Sequence, residues 1–159
     1  MHTKYFKEAA KIAQKATCHR ARCGSVIVSA GGNIIGKGFN APPLNDESQR
    51  RCDVRYNNIE KPDYDTTCCI HAEWNAIIEA LQKHPKEIVG STLYFMRIAD
   101  DGSFTGAGEP FCTVCSRLAL QSGVAFFGLW AGEPKIFDTK SYNDLSYKFY
   151  PKKPLQKHP

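Results

Sequence analysis

Two short stretches hold residues whose types and spacing could do chemistry: His71-Ala72-Glu73, and Pro110-Phe111-Cys112-Thr113-Val114-Cys115. Two cysteines separated by two residues at a helix start can aim both sulfurs at one ion, and the positive end of the helix favours their thiolate forms. Zinc accepts two thiolates and one imidazole in a tetrahedral frame and keeps the fourth position for water. The sulfurs nearly balance the metal's charge, and water bound there becomes acidic enough to supply hydroxide near neutral pH. Glu73 lies two positions after His71, close enough to stand beside such a water without ligating. A carboxylate in that place can take a proton and pass it to a substrate. A lone C-x-x-C is more often structural, and a lone H-x-E is close to chance. Together, each at an expected helix N-terminus with a strand between, they predict a catalytic zinc held by His71, Cys112 and Cys115, with Glu73 carrying protons.

The elements that must position these side chains follow from periodicity and turn chemistry. Tyr5 to Thr17 places Phe6, Ala9, Ala10, Ile12, Ala13 and Ala16 at helical spacing. Ser25 to Ala30 and Ile34 to Asn40 are β-rich runs around Gly31-Gly32-Asn33, which reads as a hairpin. Ala41 to Thr67 is a long polar loop, of the kind that is functional or mobile in a small domain. His71 to His84 is a helix with Ala72, Ala76, Ile77, Ala80 and Leu81 on one face, ended by Pro85 and Gly90. Ser91 to Ile98 is a strand, Ala99 to Pro110 a Gly- and Asp-rich loop, Cys112 to Gln121 a helix, and Val124 to Trp130 a fourth strand. Gly132 to Pro159 is aromatic and basic, with a short helix expected from Ser141. Helices alternating with strands in the second half imply parallel pairing there, so the expected class is α/β with a mixed central sheet.

At 159 residues, the chain fits one domain over residues 1–150 and a basic, flexible tail over 151–159. The net charge of +5 includes Lys148, Lys152, Lys153 and Lys157 in an acid-free end, so the body carries only about +1. Nucleic acid is therefore a disfavoured partner and a small molecule the expected one. The longest apolar run, Val124 to Ala131, is too short to span a bilayer, and the first residues lack the apolar core of a signal peptide. A cytoplasmic protein with no membrane partner is expected. In that compartment seven cysteines read as ligands or free thiols rather than as a disulfide framework.

The H-x-E and C-x-x-C pairing is the pattern of zinc deaminases. With Gly24-Ser25-Val26-Ile27-Val28, Gly36 to Pro43, His71 to Ile78 and Gly90 to Tyr94, the chain resembles the cytidine and deoxycytidylate deaminase superfamily, and within it the deoxycytidylate (dCMP) deaminase-like branch. The resemblance runs from the first helix to about Trp130. It implies a three-layer α/β/α cytidine-deaminase-like fold, hydrolytic deamination of a cytosine nucleotide or nucleoside (dCMP to dUMP favoured), one catalytic Zn²⁺ per chain, and a homo-oligomer. By motif position, the ligands are His71, Cys112 and Cys115, the proton shuttle is Glu73, and the substrate contacts are Asn40, Ala72 and Phe111. The family places proline directly before the first cysteine, whereas here Phe111 intervenes. That departure bears on the backbone carbonyl that receives the substrate's amino group. Some relatives carry a second, structural zinc, for which Cys18, Cys52 and Cys68 (or Cys69), with His19, are the candidate ligands here.

Other readings stay open at this point. They are a guanine deaminase-like enzyme, a deaminase of a riboflavin precursor, a tRNA adenosine deaminase-like enzyme and a zinc module without activity. The tight C-x-x-C speaks against the riboflavin branch, and the nearly neutral body against RNA. Arg20, Arg22, Arg50, Arg51 and Arg55 border the hairpin and the long loop. Any one of them suits either a phosphate or a solvated surface. Trp74 and the aromatics Phe137, Tyr142, Tyr147, Phe149 and Tyr150 are expected to pack on the body.

Overall fold

In the computed structural model, which describes residues 1–51 and 68–149, the hairpin expected around Gly31-Gly32 is formed by β1 (Arg22–Val28) and β2 (Ile34–Phe39). The remaining elements are α1 (Thr3–Ala13), α2 (Ala72–Lys83), β3 (Thr92–Ile98), β4 (Phe104–Thr105), α3 (Thr113–Gln121), β5 (Phe126–Trp130), β6 (Pro134–Asp138) and α4 (Thr139–Lys148). Five strands lie in the order β2-β1-β3-β5-β6, with β4 paired to β3. β3 and β5 run parallel, as the alternation of helix and strand predicts, and the other pairs are antiparallel. The sheet is therefore mixed.

Strand alternation divides the sheet into two faces. Val26, Tyr94, Met96 and Ile98 meet Tyr5, Phe6, Ala9 and Ala13 of α1 on one side. Ile27, Leu93, Phe95, Phe127 and Leu129 meet α2, α3 and Tyr142 of α4 on the other. This is the three-layer α/β/α arrangement, with the second face carrying the candidate site.

Glycine sets how near the helices come. A Cβ on Gly38 would lie 2.2 Å from the carbonyl oxygen of Ala72, and one on Gly36 would lie 2.3 Å from that of Ala76. Neither is a turn glycine; each is the absence of a side chain that lets α2 rest its backbone on β2. α2 also covers the free edge of that strand. Glu79 accepts the Lys37 N–H at 2.6 Å, and Asn75 Nδ2 donates to the Phe39 carbonyl at 2.8 Å.

Several expectations are corrected. α1 ends at Ala13 rather than Thr17, because the N–H groups of Thr17 and Cys18 turn to the carbonyl of Asn40 (3.2 and 3.3 Å). β1 begins at Arg22 rather than Ser25, because Arg22, Cys23 and Gly24 pair with Ile98, Arg97 and Met96. The loop from Ala99 to Pro110 contains β4, and the segment after Gly132 contains β6 as well as α4. β6 opens on Pro134 and lies at the sheet edge, where a missing N–H costs least. The Asp138 carboxylate then caps α4 through the Ser141 N–H (3.0 Å). Cys52, Arg55 and the tail 151–159 lie outside the described residues.

Gly38→Ala is expected to cost at least about 3 kcal/mol, the upper end of ordinary overpacking, because the new methyl meets backbone atoms. Urea unfolding measures it; a loss under 1 kcal/mol (roughly a tenth of typical stability) would mean that α2 is free to move off the strand.

Candidate metal centre and catalytic cleft

Both motifs sit at helix starts. His71 is the N-cap residue of α2 and Cys112 that of α3, each in extended backbone geometry. The Cys112 sulfur itself caps α3 by accepting the Cys115 N–H at 3.3 Å. Two helix N-termini, each with a partial positive charge, thus converge on one spot.

There, His71 Nδ1 lies 3.1 Å from Cys115 Sγ and 3.5 Å from Cys112 Sγ, and the two sulfurs are 3.1 Å apart. Among the described residues, this is the one cluster of three or more His, Cys, Asp or Glu donors close enough to share an ion. Bond lengths of about 2.3 Å to sulfur and 2.0 Å to nitrogen in a tetrahedron imply separations of about 3.5–3.8 Å between ligand atoms. The donor triangle needs to open by at most about 0.7 Å, along the sulfur–sulfur edge, so the three residues fit zinc in both type and spacing.

Electrostatics agree with that use. The Cys115 thiol, with help from His71, draws Cys112 down to about 4. Burial pushes Cys115 well above the ordinary thiol range. Burial opposes protonation of His71, yet the Cys112 sulfur and the Glu73 carboxylate outweigh it and raise its pKa. Glu73, on the first turn of α2, is 6% exposed, and burial raises its carboxyl above the usual range. A carboxyl so placed can hold a proton closer to neutrality than one in water.

His71, Glu73 and Cys112 line a cleft of about 1020 Å³, while Cys115 is fully buried and joins the site through its sulfur contacts. Ala72, Asn40 and Phe111 line it too, so all the expected site residues among those described come together except Cys68. Asn40 is already engaged. Its Oδ1 accepts the Cys23 N–H at 2.8 Å and its Nδ2 donates to the Ala21 carbonyl at 2.7 Å, which ties the loop before β1 to the end of β2. Cys18 has the Cys69 thiol as its neighbour, and that hydrogen bond, with the N–H groups of Arg20 and Ala21, lowers it to about 5 against burial. Cys18 and Cys69 face the cleft and Cys68 is half-buried.

Of the arginines, Arg50 is held by Glu47 and the Thr17 carbonyl, and Arg22 by the carbonyls of Gln14 and Asp100. Arg51 donates to the Ser48 and Arg50 carbonyls. Arg20 lines the cleft, and so does Arg97, which sequence reasoning missed. Its signal was parity: Arg97 follows Leu93 and Phe95 at intervals of two, which puts it on the site face where β3 ends. The Trp74 ring stands beside that of His71, with centroids 5.9 Å apart, in a packing role.

Residues 1–127 match the family model described as the cytidine and deoxycytidylate deaminase zinc-binding region. The chain belongs to this family. A deoxycytidylate deaminase of Mycobacterium phage D29 is 30% identical to this family member over 122 residues, covering 73% of this chain and 83% of the phage protein. The fold is likewise that of solved family members. The dCMP deaminase of cyanophage S-TIM5 superimposes with a TM-score of 0.55 at 23% identity, over 79% of this chain and 78% of that one. A cytidine deaminase from Burkholderia pseudomallei gives a TM-score of 0.58 at 15% identity, over 89% and 95%. Among the described residues, no helix is long and apolar enough to cross a membrane.

Elemental analysis is expected to find at least one zinc per chain, lost on Cys112→Ser, with chelation lowering the melting temperature. A second equivalent that survives Cys112→Ser and disappears on Cys18→Ser would assign Cys18 to a structural site. Metal-free protein with an unchanged melting temperature would count against any metal role for the cluster.

Proposed function

We propose that this deaminase converts a cytosine nucleotide to the corresponding uracil nucleotide with release of ammonia, dCMP to dUMP being the favoured reaction. The observation that carries the reading is Glu73, a buried carboxyl at the base of the cleft beside the imidazole and two thiols. Support for the nucleotide comes from the phage relative named above, and from the S-TIM5 enzyme, which has been solved in complex with dCMP and dUMP.

His71, Cys112 and Cys115 would hold zinc, which supplies an acidified water as the nucleophile for such a reaction. Glu73 takes up the proton of the attacking water and returns it to the ring nitrogen. It then carries a second proton to the departing amine, so that water and the cytosine ring yield uracil and ammonia. The raised pKa of Glu73 suits both roles, since it must accept and release within one turnover. The backbone at Phe111 receives the exocyclic amine in this reading. Asn40 orients the sugar edge while its amide braces the neighbouring loop.

The phosphate is met by Arg97. This side chain is exposed at the cleft mouth, and its guanidinium also reaches the Cys23 sulfur. Arg20 is a second cation on the same rim. A planar guanidinium offers paired donors to two phosphate oxygens, which a nucleoside lacks.

The reaction is tested by ammonia release from a panel: cytosine, cytidine, deoxycytidine, their monophosphates, guanine, adenosine and a tRNA anticodon loop. Highest turnover is expected with dCMP; turnover confined to guanine or tRNA would reassign the substrate. Glu73→Gln should keep zinc yet lose at least about 100-fold in kcat. Undiminished turnover in that variant would remove Glu73 from the mechanism. Arg97→Gln should raise KM for dCMP about tenfold, the worth of one charged hydrogen bond, and leave deoxycytidine nearly unchanged. Equal losses for both substrates would sink the phosphate role.

A further inference from the structure

The family match ends at residue 127, inside β5, but the cleft does not end there. Tyr142 on α4 and Phe149 at its C-terminal end both line it. α4 reaches the metal-binding segment at two places, and a third contact holds the helix to the sheet. The Tyr142 ring is 3% exposed and stacks on Phe127, with centroids 3.9 Å apart and planes inclined by 14°. At the far end of the helix, the Phe149 ring meets the Phe111 ring edge-on, centroids 4.8 Å apart. Ser116, next to Cys115, donates from Oγ to Asn143 Oδ1 at 2.8 Å and lies 3.1 Å from the Ser146 hydroxyl.

The residues immediately outside the two cysteines are thus both tied to α4. Phe111 is held by its ring, and Ser116 by its hydroxyl. Phe111 belongs to the irregular stretch before α3, which has no strand partner at that point. Groups that orient a ligand residue set the geometry and retention of its metal. The stack of Tyr142 on Phe127 fixes α4 against β5, so the helix is in turn able to fix what it touches.

We propose that α4 braces the metal-binding segment, with Ser116 as a positioning residue that ties Cys115 to the helix. The inference rests on zinc being held by His71, Cys112 and Cys115. Ser116→Ala removes one oxygen and leaves the Tyr142 stack in place, so the core is preserved. With cobalt(II) as the probe in place of zinc, the thiolate-to-metal absorption reports the sulfur geometry, and loss to a chelator reports retention. In Ser116→Ala the absorption band is expected to shift and metal loss to quicken about tenfold. With zinc, kcat for dCMP should fall about tenfold while KM stays within about twofold, because a misplaced segment weakens the transition state more than substrate binding. Asn143→Ala, which removes the acceptor on α4, should quicken metal loss in the same way.

An unchanged spectrum and metal-loss rate in Ser116→Ala would overturn the brace, even if its melting temperature fell, since α4 would then serve only to fill the core. A parent protein that takes up no cobalt would overturn the metal reading and the brace with it. A parent that binds cobalt and shows the expected shift, but turns over no cytosine substrate, would uphold the brace and remove only the substrate assignment.

Discussion

The nearness of α2 to β2 governs how the site is assembled. Gly36 and Gly38 leave no side chain between strand and helix, so the carbonyls of Ala72 and Ala76 rest where a methyl would otherwise stand. His71 caps that helix and Glu73 is on its first turn, and their positions are therefore set by backbone contact rather than by flexible side chains. The opposing half of the cluster depends on a second helix start, that of α3, where Cys112 is both sulfur donor and cap. Two rigid helix ends meeting at one point are what bring a nitrogen and two sulfurs within 3.5 Å of one another.

Polar wiring completes the frame. The Asn40 side chain spends both ends of its amide on Cys23 and Ala21, while its carbonyl takes the N–H groups of Thr17 and Cys18. One residue thereby closes the wall of the cleft that includes Cys18, Arg20 and Cys23. Across the cleft, the Ala107 N–H reaches the Trp130 carbonyl at 2.8 Å and keeps the loop before Phe111 against the end of β5. Loops that would be loose alone are held by such single bonds to the sheet.

Much of this was legible in the sequence, and the reason lies in how local each signal is. The starts of α2 and α3, the hairpin and the parallel β3–β5 pair follow from short-range periodicity and turn residues, and the grouping of His71, Cys112 and Cys115 follows from two motifs at helix starts. What sequence reasoning missed depends on distant partners. α1 stops early because Asn40, far along the chain, takes the next N–H groups. β6, with Pro134 at its start and Lys135 beside it, has too little alternation to be recognised without β5. The value of Gly36 and Gly38 cannot be read until the helix they admit is in place. Arg97 could have been found by counting twos along its strand, had the strand's inner face been fixed first.

The clasp of α2 over the outer rim of β2 has a consequence for how copies of the molecule can meet. Lys37 spends its outward N–H on Glu79 and Phe39 its outward carbonyl on Asn75, so two of the main-chain groups that an incoming strand would need are already used. Growth of the sheet by addition at this end is opposed by the same helix that carries His71. Strand-to-strand pairing between copies is then favoured at the opposite margin, β6, which would leave the hairpin side of the molecule untouched.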